Sequence, residues 1–219
     1  MIGLIKKDLI LSIKVNIFAV IYALFISATG LIRDNLLIAN LFYVLGIIIL
    51  TFIMVIYTNG FDDKYKTQVV LNSFPIDRRN IVRSKYIILI IFILISSGVI
   101  IALTNILPML LSVGSRAIAN IHAIIFASNI LLLFYSIYYP FYFKIGEGLR
   151  SFNAMLWMFL MLGPALIGRL FKALDAWGLL GKLMNMDLEK INLYILGIIL
   201  VIYYISLQIS KNIYMKREF

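Results

Sequence analysis

Apolar residues do not alternate with polar ones along this chain. They come in long runs, separated by short polar segments that are mostly basic. Six runs stand out, at residues 15–32, 36–57, 86–111, 117–143, 152–170 and 191–210. Each approaches or exceeds the roughly 20 mostly apolar residues that a helix needs to cross a bilayer. In hydrocarbon an isolated strand leaves its backbone groups unsatisfied, and the runs lack the alternation of an outer-membrane barrel, so the pattern predicts helices. The expected fold is all-α: a polytopic membrane protein with six transmembrane helices in one domain over residues 1–219.

The segments between the runs add three elements. In residues 1–14, Ile2, Ile5, Leu9 and Ile13 recur three or four apart, with Lys6, Lys7 and Lys14 on or beside the opposite face. That spacing predicts an amphipathic helix lying in the membrane interface. Residues 58–85 form a long polar connection between the second and third spans. Residues 168–190 form another before the last span, with apolar stretches at 171–174 and 177–183 that predict short external helices, Trp177 lying at headgroup depth.

Composition agrees with the pattern. Hydrophobic residues make up 63% of the chain and charged residues 14%, against roughly 45–50% and about 25% in soluble domains. The formal charge of +10 does not indicate nucleic-acid binding, because no soluble basic domain exists to carry it. Its distribution gives an orientation instead. Fourteen of the 20 Lys and Arg residues fall on the side that holds the N-terminus, the 58–85 connection, residues 144–150 and the C-terminus. The positive-inside rule places that side, and both termini, in the cytoplasm.

Candidate chemistry is sparse. Without cysteine, disulfides, thiolate metal sites and cysteine nucleophiles are excluded. His122, the single histidine, cannot build a metal site alone. The nearest approach to a Walker phosphate loop is Gly181-Lys182, where Ala176 stands at the first glycine position and Leu183 at the hydroxyl position. No aspartate falls within a predicted span. The chain therefore reads as no enzyme, with no cofactor of its own. Polar residues within the spans (Thr51, Ser96, Ser97, Thr104, Asn105, Ser128, Asn129, Ser136 and Asn153) suit hydrogen bonding between helices, or a path lining. The aromatic residues Tyr135, Tyr138, Tyr139, Phe141, Tyr142 and Phe143 suit an interfacial belt, or contact with an amphipathic substrate.

The 58–85 connection is the most informative segment. A helix is expected at 62–71, with Asp62 and Asp63 suited to a helix N-terminus. The run Asn72-Ser73-Phe74-Pro75 breaks it, since helix is disfavoured before proline. Asp77 then caps a second helix whose Arg78, Arg79, Arg83 and Lys85 are expected to anchor the third span at anionic headgroups. Val70, Leu71, Phe74 and Ile76 form an apolar turn suited to a groove on a cytosolic partner.

These residues carry a family resemblance. Asp62-Asp63-Lys64, then Leu71-Asn-Ser-Phe-Pro-Ile-Asp-Arg-Arg-Asn-Ile-Val82 and Lys85-Tyr86, resemble permease subunits of type-2 ATP-binding-cassette (ABC) exporters. The likeness is strongest to small bacterial permeases that export antimicrobial or amphipathic peptides, including phenol-soluble modulins. The resemblance implies a bacterial cell-membrane location. It also implies a partner permease (the same or a homologous chain) and two cytosolic ABC ATPase subunits that hold ATP and Mg. Asp62, Asp63, Lys64, Leu71, Phe74, Pro75, Ile76, Asp77 and Arg78 would form the coupling helix that docks on those subunits. Asn105, Asn129, Tyr135, Tyr138 and Asn153 are candidates for the substrate path. The alternative is a non-transporting immunity or regulatory protein that binds peptide or lipid.

Overall fold

A computed structural model describes residues 1–13, 16–32, 35–74, 76–111, 118–146 and 188–217. These residues form seven α-helices: α1 (Ile2–Ile13), α2 (Asn16–Leu31), α3 (Leu36–Lys64), α4 (Thr67–Ser73), α5 (Arg78–Leu111), α6 (Ile121–Ile145) and α7 (Leu188–Met215). Four helices are long and apolar enough to cross a membrane, at Ile38–Lys64, Arg78–Met109, Ile121–Ile145 and Lys190–Met215. The first apolar run forms the shorter α2. The fifth run (152–170) and residues 168–187 of the connection before the last span, with Trp177, lie outside the described residues.

Every one of the four long helices continues past its apolar run at the same end of the bundle. The 34 residues of α5 measure about 50 Å at 1.5 Å per residue, against a hydrocarbon core about 30 Å thick. Part of the excess is its first two turns, which carry Arg78, Arg79, Arg83 and Lys85. The last turns of α3, α6 and α7 meet there, as does α1. We call this the basic end.

Cross-contacts set the direction of each helix. α2 runs antiparallel to α3: Gly30 lies under the Tyr43 ring and Gly46 against Ile26. α3 and α5 are antiparallel, joined by Thr51 Oγ1 donating to Ser96 Oγ at 3.0 Å. α6 and α7 run parallel. Near the far end, Asn129 on α6 donates to Asn192 on α7 at 2.6 Å, and near the basic end Phe143 packs on Tyr214 at 5.3 Å between ring centroids. Thus α6 finishes at the basic end and α7 starts at the opposite one.

The core is unusually aromatic. Phe52, Phe134, Tyr135, Tyr138, Tyr139, Tyr142, Phe143 and Tyr214 stack in succession, and Tyr86 joins through Tyr139 and Tyr203. Of the six aromatic residues expected to form a belt or meet substrate, only Phe141 points outward; the other five are buried. The reason is spacing. Residues 135, 138, 139 and 142 share one helical face, and that face meets α3, α5 and α7.

α1 turns Asp8, Leu11 and Ser12 inward and leaves Ile2, Ile10 and Ile13 exposed. Asp8 thereby reaches a cation of α5.

Candidate functional site

The site grows from the overshoot of α3 beyond its apolar run. Residues 58–64 continue the helix, so Asp62 and Asp63 stand at a C-terminal end and not at the N-terminus of a new helix. A carboxylate there opposes the helix dipole, and Asp62 is also only 3% exposed. Such a group requires cations, and two arrive from separate helices. Lys7 Nζ on α1 donates to Asp62 Oδ1 at 2.6 Å, and Lys85 Nζ on α5 to Asp62 Oδ2 at 2.6 Å. Asp8 completes a ring of four, 3.2 Å from Lys7 and 3.0 Å from Lys85. Two cations and two carboxylates cancel, which permits their burial. Lys85 is 6% exposed; it holds three helices together and does not reach for headgroups as expected.

After Lys64 the chain turns through Tyr65 and Lys66, with Lys66 in the left-handed region at φ 49°. For a residue with a Cβ this conformation costs roughly 1–2 kcal/mol. It separates α4 from α3, so the short helix begins at Thr67 and not at Asp62.

The C-terminal segment clasps α4 from the other side. Asn72 Nδ2 donates to Tyr214 Oη at 3.1 Å, and Arg217 Nη1 to Gln68 Oε1 at 3.1 Å and to the Phe143 carbonyl at 3.2 Å. Arg78 Nη1 in turn donates to the Arg217 carbonyl at 3.0 Å. Gly146 makes this approach possible: its φ is +66°, and a Cβ there would collide with the Arg217 guanidinium. Asp77 caps α5 as expected, its Oδ1 accepting the Arg79 backbone N–H at 2.9 Å.

The expected docking residues thus separate into two sets. Asp62 is locked inside, and Leu71 and Ile76 pack half-buried against the core. Arg78 holds the C-terminal segment, and Asp77 caps a helix. Asp63 is half-buried and Lys64 exposed, its Nζ 5.4 Å from the centroid of the Tyr65 ring. Val69, Val70 and Phe74 present an apolar face outward, at 51%, 50% and 56% exposure. Pro75 lies outside the described residues. Lys7, Asp8, Tyr214 and Arg217 were not foreseen as parts of this site. The available signal was the single acid, Asp8, within a basic amphipathic helix.

Of the residues expected to line a substrate path, Tyr135 and Tyr138 pack against each other, at 5.6 Å between ring centroids. Asn105 is exposed on α5 and bonds back to the Ile101 carbonyl at 2.8 Å. Asn129 is buried in the α6–α7 seam with Asn192, whose Nδ2 donates to the His122 carbonyl at 3.0 Å. Tyr135 and Tyr138 belong to the aromatic core. Asn153 lies outside the described residues. Thr51, Ser96 and Ser136 act as contacts between or within helices. Among the described residues no cluster of His, Asp or Glu could hold a metal ion.

The described residues thus form a polytopic helical membrane protein with a short helix fixed between two of its long apolar helices. The chain belongs to the ABC-2 family of transporter proteins: the family model described as ABC-2 family transporter protein matches residues 3–215. It is therefore the membrane permease subunit of an ABC-type transporter, a transport subunit and not an enzyme. Membership implies association with ABC ATPase subunits and with membrane lipids. No curated protein and no solved structure matches the chain.

Proposed function

We propose that this permease exports an amphipathic peptide, driven by ATPase subunits that dock on α4 at a cytoplasmic basic end. The observation that carries the docking reading is the contrast within one short helix. Gln68, Leu71 and Asn72 are fastened inward, while Val69, Val70 and Phe74 stand exposed. An apolar face on a rigid seat between two spans can transmit a push, because the load passes directly into α3 and α5. Closure of two ATPase subunits on ATP would shift α4, and the helices would follow as rigid bodies. ATP and Mg belong to those partners.

Six spans with both termini inside suit the directions of the helices. α6 leaves at the basic end and α7 enters at the other. A second permease subunit would complete the path. The cargo reading rests on the resemblance to exporters of antimicrobial peptides.

The test is Phe74→Asp in the reconstituted transporter. Stimulated ATP hydrolysis is expected to fall at least tenfold at unchanged membrane expression. Removal of a central buried apolar anchor costs about 2 kcal/mol or more, which is beyond tenfold. Normal stimulation in that variant would overturn docking through α4. Vesicle uptake measured with a panel of amphipathic peptides tests the cargo separately.

A further inference from the structure

Among the cations at the basic end outside the ion-pair ring and the C-terminal clasp, three lie along one seam: Arg79 and Arg83 on α5 and Lys211 on α7. Their relation follows from the register of this antiparallel pair. Tyr86 Oη is 2.7 Å from Ser206 Oγ and 2.8 Å from Ser210 Oγ, and Arg79 Nε donates to Met215 Sδ at 3.4 Å. Between these contacts Arg83 stands level with Lys211. The charges that act on Lys211 are indeed Arg83 and Arg79, both positive. Lys211 is 8% exposed, and its polar contact is a neutral one, to Gln208 Oε1 at 3.3 Å. Among the described residues no carboxylate pairs with any of the three. Asp77 on the same turn spends one oxygen on the cap of α5.

Like charges facing one another across a helix seam repel. A bound anion removes that penalty. What lies below the cations identifies its kind. On α5, seven and eleven residues on from Arg83, Ile90 and Leu94 are exposed on the same face. On α7, seven and eleven residues back from Lys211, Tyr204 and Leu200 are exposed likewise. A phosphate at the level of the cations would therefore carry its attached chains down two apolar ridges.

We propose that the α5–α7 seam binds the phosphodiester headgroup of an anionic phospholipid from the basic-end leaflet, with Arg83 and Lys211 as its principal ligands and Arg79 at its rim. Basic pockets between helices at the cytoplasmic face are suited to such headgroups. The site stands independently of which cargo is carried and of how the ATPase docks.

Native mass spectrometry of the purified full chain tests it, with dioleoyl phosphatidylglycerol, dioleoyl phosphatidylcholine and inorganic phosphate as probes. The wild type is expected to retain a phosphatidylglycerol adduct at energies that strip phosphatidylcholine, and the adduct should survive millimolar phosphate. Arg83→Gln with Lys211→Gln is expected to weaken retention about tenfold or more, from roughly 1 kcal/mol per basic residue. Arg83→Lys with Lys211→Arg should restore it. Lys6→Gln with Lys144→Gln, both exposed elsewhere at this end, should leave it unchanged. Equal retention of the two lipids, no loss in the double Gln variant, or displacement by phosphate would each overturn the proposal. A thermal midpoint recorded on every variant separates lost binding from lost folding.

Discussion

Asp62 illustrates how a residue's neighbours can reverse its apparent role. In the sequence it is one of two acids at the start of a polar connection, a natural helix N-terminus and a natural contact for a partner. In the fold it is the buried anion on which Lys7 and Lys85 converge, each at 2.6 Å. Asp62→Asn leaves two lysines sharing Asp8, and loss of one member of a buried pair costs about 3–5 kcal/mol. The expected result is a clearly lowered thermal midpoint in detergent. Asp62→Leu with Lys85→Met removes both charges and is expected to cost less than Asp62→Asn alone. If the double variant proves the less stable, the pairing argument fails. No periodicity could have shown this, because Lys7, Asp62 and Lys85 are brought together only by the packing of three helices.

At the scale of elements, four of the six apolar runs coincide with helices long and apolar enough to cross a membrane, but the runs located the ends of those helices poorly. Hydropathy reports where lipid stops, whereas a helix stops only where its backbone is turned or capped. α3 therefore runs on to Lys64, α5 begins at the Asp77 cap, and α7 runs to Met215. The face that each helix buries was likewise decided by its neighbours, as the inward Asp8 of α1 demonstrates. α2 and α3 lie close because two glycines allow it, in keeping with the small residues that let membrane helices approach. At Gly30 a Cβ would collide with the Tyr43 ring. Gly30→Ala is expected to lose about 1–3 kcal/mol through overpacking, read as a fall in thermal midpoint. Adding Tyr43→Leu should recover part of the loss, and absence of any such coupling would show that the contact is unimportant.

At the scale of the molecule, the basic end gathers α1, α4 and the last turns of three long helices into one cross-braced layer. The orientation of that layer has a direct test, since the chain contains no cysteine. Single cysteines at Lys144 and Lys216 are expected to react with a membrane-impermeant maleimide only after permeabilisation. Cysteines at Ile118 and Lys190 should react in intact cells. The reverse pattern would invert the topology. Labelling of all four from one side would refute a crossing between them.

The sequence by itself determined that this chain lives in a bilayer as helices, that most of its positive charge falls at one end, and that residues 58–85 form a polar connection broken near Pro75. Those conclusions follow from solvation of the backbone, side-chain transfer energy and local turn chemistry, which act residue by residue. Only the tertiary structure decided which polar residues face inward, that the aromatic residues of α6 are core, and that Val69, Val70 and Phe74 are the exposed part of α4. It also decided that Lys7 and Lys85 are paired with Asp8 and Asp62. Burial and charge pairing depend on distances between helices far apart in sequence, and an apolar run has the same composition whichever face it turns to its neighbours.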